Sequence, residues 1–166
     1  MSDYVFELYR NIALLQSYGF SLGDALESIG IKNVNIFGIG EMGRILLGNI
    51  NNKIHICGLY DSAVKDEKKI QINNNSYTVL PTKKIDNSNV IMIVTPVNCY
   101  KEILDELLQN GYERKKIFSL NIIIKLCLEK IRQQHNELKQ ISVSITNKQF
   151  LITGAQFNNK GAQSML

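Results

Sequence analysis

Two spacings of apolar residues alternate along the chain, and their order predicts the fold class. Val5, Leu8, Ile12, Leu15 and Tyr18 share one helical face, which predicts an amphipathic helix over residues 4–18. Punctuation predicts a second helix: Ser21 suits its N-cap, Asp24 its first turn, and Gly30 its end. Short runs rich in β-branched residues at 34–37, 54–60, 90–94 and 116–120 then read as strands. Helical spacing returns between them, at Met42, Ile45, Leu46 and Ile50, and again at Ile103, Leu104, Leu107 and Leu108 before Gly111. Residues 69–72 and 76–80 flank Asn73, Asn74 and Asn75 as a hairpin would, and 81–86 fits one helical turn. A long helix over 122–139, polar in its second half, closes the pattern.

This order predicts an α/β fold in which a parallel sheet with flanking helices follows two N-terminal helices. The continuous apolar run 90–94 is what a strand buried on both faces requires. Thr95 and Pro96 after it read as the N-cap and first residue of the next helix.

The first strand runs into Gly38, Gly40 and Gly43, the GxGxxG spacing that opens a dinucleotide-binding βα unit. Each glycine has a separate physical task in such a turn: tight reversal, backbone approach to a pyrophosphate, and close packing of helix on strand. The next strand ends at Asp61, where a carboxylate can accept hydrogen bonds from ribose hydroxyls. The sheet is therefore expected to be Rossmann-like, with Gly38, Gly40, Asp61 and Thr95 around one mouth at the carboxyl ends of the strands. Glu41 opposes this reading, because an anion at a helix N-terminus competes with a phosphate for the positive end of the dipole; Arg44 is placed to offset it. The alternative is that the glycines serve the turn alone and Glu41 stabilises its own helix by roughly 0.3–1 kcal/mol.

Composition narrows the function classes. With 166 residues and 45% hydrophobic content the chain can bury a sizeable core. Its net charge of +4 comes from scattered lysines without interleaved aromatic residues, which argues against nucleic acid as a partner. Cys57, Cys99 and Cys127 make neither a CxxC pair nor an even disulfide set, and the N-terminus lacks the basic-then-apolar pattern of a signal peptide. No stretch reaches the length of a membrane span. A cytoplasmic protein without membrane insertion is expected. His55 and His135 are isolated, so no metal site is expected.

The tail, residues 148–166, reads KQFLITGAQFNNKGAQSML, again a strand, a glycine-bearing loop and the small and apolar residues that start a helix. This run resembles the opening of polysaccharide pyruvyl transferase-like domains, with Gly154, Asn158 or Asn159, Gly161, Ala162 and Met165 at the matching positions. Ala162 stands where the common form of that family carries an acid. The resemblance implies a loop of Asn158, Asn159, Lys160 and Gly161 as a substrate-binding element, and residues 141–166 as a linker and the truncated start of a second domain. Residues 30–125 resemble the nucleotide-binding Rossmann modules that precede catalytic domains in bacterial sugar-modifying and surface-polysaccharide enzymes. The expected organisation is a helical leader over 1–30, a nucleotide-binding domain over 31–140, and the tail.

Three functions compete. The first is a module that binds a nucleotide or nucleotide-sugar through Gly38, Gly40, Glu41, Gly43, Arg44, Asp61 and Thr95, in a polysaccharide-modifying protein. The second is an NAD-dependent oxidoreductase or epimerase; hydride chemistry then needs an acid or base beside the nicotinamide, and the sequence has no YxxxK and no histidine at a strand's carboxyl end. The third is a structural domain that forms a homo-oligomer through its first helix.

Overall fold

A computed structural model describes residues 3–50, 52–86 and 89–141 of the chain. Its elements run α1 (Asp3–Ser17), α2 (Leu22–Ser28), β1 (Asn33–Phe37), α3 (Glu41–Asn49), β2 (His55–Tyr60), β3 (Lys68–Ile72), β4 (Asn75–Val79), β5 (Ile91–Val94), α4 (Tyr100–Gln109), β6 (Ile117–Ser119) and α5 (Leu120–Ile141). One compact unit ends at His135 and a second begins at Asn136. Residues 142–166, with Asn158, Asn159, Lys160 and Gly161, lie outside the described residues.

Four parallel strands form the sheet in the order β2-β1-β5-β6. From β1 the chain crosses through α3 to one side, and from β5 it crosses through α4 to the other. Crossovers of one hand therefore put α3 and α4 on opposite faces of the sheet. The core divides accordingly. Val34, Ile36 and Ile93 pack with residues of α1, α2, α3 and α5, whereas Phe37, Met92 and Val94 pack with Ile103 and Leu107 of α4. Alternate residues of β5 thus enter different clusters, as a strand covered on both faces requires.

The N-terminal helices share the first cluster. Val5, Leu8, Ile12 and Leu15 of α1 are buried in it, and at roughly 2 kcal/mol per buried aliphatic side chain they make α1 part of the core. Helix α2 starts with a capping box, in which Ser21 Oγ accepts from the Asp24 N–H at 3.1 Å and Asp24 Oδ2 accepts from the Ser21 N–H at 3.1 Å.

β3 and β4 form an antiparallel hairpin that turns through Asn73 at φ 53°. It meets the main sheet through a parallel bridge between Tyr60 and Leu80. There the Leu80 N–H donates to the Leu59 carbonyl at 2.8 Å and the Asp61 N–H donates to the Leu80 carbonyl at 3.1 Å. No helix among the described residues is long and apolar enough to cross a membrane.

One expectation about a helix end is corrected. Thr95 does not cap α4, which starts at Tyr100 with Cys99 at its N-cap, and Pro96 lies in the preceding loop. The Thr95 hydroxyl is instead taken up by the β1 loop, 57 residues earlier in the chain.

Candidate functional site

The site grows from the end of β1, where the strand order reverses between β1 and β5. In an open parallel sheet this reversal leaves a crevice outside the carboxyl ends of the strands. Hydrogen bonds from both neighbouring strands hold the loop that leaves β1. The Gly38 N–H donates to the Tyr60 carbonyl at 2.7 Å, and the Thr95 N–H donates to the Phe37 carbonyl at 2.9 Å. The Thr95 hydroxyl donates to the Gly38 carbonyl at 2.9 Å, with the Phe37 carbonyl at 3.2 Å. Thr95 is 1% exposed, so this bond is made away from water.

The three glycines differ in what requires them. Gly38 has φ +96°, and a Cβ there would lie 2.6 Å from Pro96 Cδ and 2.7 Å from Thr95 Oγ1. A Cβ on Gly43 would lie 2.1 Å from the Gly38 carbonyl oxygen, so only glycine lets α3 come this close to the loop. Gly40 is unlike both. It has an ordinary φ of −62°, a Cβ there would meet no atom within 4 Å, and it caps α3 without a side-chain hydrogen bond. The first N–H groups of α3 have no acceptor within their own helix, and no side chain covers them at the cap.

Asp61 is half-buried at the end of β2 and faces the same loop. Its Oδ2 accepts from the Ile39 N–H at 2.8 Å and its Oδ1 from the Ala63 N–H at 2.8 Å. Each carboxylate oxygen keeps further lone pairs for a ligand hydroxyl. Asp61 therefore shapes the glycine loop whether or not it also reads a ribose.

Beside Gly40 opens a hollow of about 240 Å³, lined by Glu41, Met42 and residues 95–99 after β5. Tyr4 and Val5 of α1 form another part of its wall. Among the described residues Glu41 is the only charged one in this lining. Arg44, exposed on α3, lines a different hollow of about 550 Å³ with Glu41, Tyr9 and Asn73. No ion pair joins Arg44 to Glu41 among the described residues. The compensation expected from Arg44 is thus not made by direct contact.

The structure brings Gly38, Gly40, Glu41, Gly43, Asp61 and Thr95 to one mouth and sets Arg44 on its flank. Tyr4, Val5 and Asn98 were not predicted at this mouth. Nothing local could have identified Tyr4 or Val5, whose place depends on how α1 lies across the domain. Among the described residues neither His nor Lys lines the 240 Å³ hollow.

A further hollow of about 530 Å³ runs between β2 and β4, past His55 and Cys57, and contains none of the glycine-loop residues. Among the described residues no group of three or more His, Cys, Asp or Glu is placed to hold a metal ion. Cys57 and Cys99 are exposed thiols, whereas burial pushes the Cys127 thiol up to about 12.

Set against protein-family models, curated proteins and solved structures, the chain matches none.

Proposed function

We propose that the mouth at Gly38–Gly43 binds a nucleotide-type small molecule, as the recognition module of a polysaccharide-modifying protein. The observation that carries the nucleotide reading is Gly40. Gly38 and Gly43 are demanded by the turn itself, so they serve equally well in a structural loop. Gly40 has no steric or dihedral reason to be glycine, and Ser, Asp or Asn would cap the helix better. A bare cap over free N–H groups is what close approach of a diphosphate requires.

In this reading the diphosphate lies across Gly40 and the first turn of α3, and the ribose hydroxyls reach Asp61. The assignment to a polysaccharide-modifying protein rests on the resemblance of the two chain segments, one of which lies outside the described residues. The structural reading draws its support from Glu41 and from the internal duties of Gly38, Gly43 and Asp61.

Thermal shift with ADP, UDP, NAD and UDP-glucose tests the proposal. A ligand at 100 times its dissociation constant adds about 2.7 kcal/mol of stability. Gly40→Val is expected to remove that shift while the ligand-free protein still melts cooperatively. Absence of a shift with every nucleotide overturns the nucleotide reading in favour of a structural turn.

A further inference from the structure

Six large apolar side chains stand exposed among the described residues, and three of them, Tyr4, Phe6 and Tyr9, fall in the first two turns of α1. Tyr4 lines the hollow beside Gly40 and Tyr9 the hollow beside Arg44, whereas Phe6 lines neither and is 64% exposed, the most of the six. Its place on the helix explains why. Val5, Leu8, Ile12 and Leu15 turn into the core, and at about 100° per residue the stripe of Asp3, Phe6, Arg10 and Ala13 lies on the opposite side of α1. All four are exposed. Glu7, on one flank of the stripe, is engaged by Lys125 of α5 at 3.1 Å. No ion pair among the described residues engages Asp3 or Arg10.

We infer that this stripe is the contact face for a second copy of the chain, with α1 antiparallel to the partner's α1 about a two-fold axis that passes between positions 6 and 7. The charge pattern decides the occupant. Asp3 lies three residues before Phe6 and Arg10 four after it, so an antiparallel copy that sets the two Phe6 rings side by side also sets each Asp3 opposite the partner's Arg10. At a rise of 1.5 Å per residue, both charges then lie about 5 Å along the helix from the axis. A parallel copy would set acid against acid and base against base, so the pattern selects one orientation. An aromatic centre between two polar pairs also has the layout of a protein interface, in which apolar rings lose their water and charges stay at the rim. A face of about four helical turns is small, which puts the dimer in the weak, concentration-dependent class. The stripe contains no residue of the Gly38–Gly43 mouth, so this contact stands whether or not a nucleotide binds there.

Sedimentation velocity on the parent chain, from micromolar to millimolar concentration, should show a reversible equilibrium of monomer and dimer. Phe6→Ser should weaken it by about tenfold or more, because the substitution removes the aromatic centre from both copies. Arg10→Asp should weaken it by about as much, since both pairs become like-charge contacts. The double exchange of Asp3→Arg with Arg10→Asp should restore the dimer, because it rebuilds both pairs with their signs reversed. Leu126→Ser, on the exposed face of α5, should leave the equilibrium unchanged. The side chains replaced on α1 are exposed, so melts at low concentration, followed by circular dichroism, should keep midpoints near that of the parent. A parent that stays monomeric at every concentration would overturn the inference and leave the stripe to a different partner. A dimer that Phe6→Ser leaves intact, or one that Leu126→Ser dissolves instead, would overturn it as well, as would a folded double exchange that stays monomeric.

Discussion

Gly43→Ala and Gly40→Ala make the same chemical change three residues apart, and the structure gives them different outcomes. The Gly43 Cβ would sit 2.1 Å from the Gly38 carbonyl oxygen, whereas an ordinary C···O contact is about 3.3–3.6 Å. Helix and loop would have to separate by more than about 1 Å, and no rotamer change relieves the clash because the obstacle is backbone. Overpacking of this kind costs up to about 3 kcal/mol. The Gly38 carbonyl also holds the buried Thr95 hydroxyl, whose loss adds about 1 kcal/mol. The better helix propensity of Ala returns about 1 kcal/mol.

The net cost of Gly43→Ala is therefore about 3 kcal/mol, and at about 2–4 °C per kcal/mol for a chain of this length the midpoint should fall by about 6–12 °C. Gly40→Ala meets no atom and keeps an allowed φ, so it should stay within about 1 kcal/mol of the parent, the difference expected at an N-cap. Thermal melts followed by circular dichroism, with urea titrations to confirm the free energies, measure both. A Gly43→Ala protein that melts with the parent would show that α3 is not held against the Gly38 carbonyl, and the division of labour among the glycines would fail with it.

Two more outcomes follow from the same contacts. Asp61→Ala removes acceptors from the Ile39 and Ala63 N–H groups and should cost about 2 kcal/mol in urea unfolding; it should also weaken NAD or a nucleotide-sugar far more than free pyrophosphate, and equal losses would confine Asp61 to the loop's stability. At pH 8 the native protein should alkylate at Cys57 and Cys99 while Cys127 reacts only after denaturation. Burial raises the Cys127 thiol from 9.0 to about 12, so the stability it contributes is present below pH 9 and falls as pH rises through that interval, which urea midpoints across the range would register.

Several parts of this molecule were determined by the sequence alone. Helical spacing of apolar residues marked α1, α3 and α4, continuous β-branched runs marked the sheet strands, and cap and turn residues marked α2 and the hairpin, because each signal follows from local backbone geometry. The Ser21 capping box, the turn at Asn73 and the positive φ of Gly38 are likewise local, since each depends on what one or two residues can adopt. The glycine spacing also marked the turn from β1 into α3. Only the tertiary structure decided what lies against what. Thr95 looked like a helix cap, and its hydroxyl became a buried tie to the Gly38 carbonyl, since β1 and β5 are neighbours in the sheet although far apart in the chain. Asp61 read as a ribose ligand, and the packed loop gave its oxygens two backbone donors of their own. The wall that α1 contributes to the mouth through Tyr4 and Val5 has no signal in sequence, because it follows from how buried faces fit together rather than from any residue's own preference.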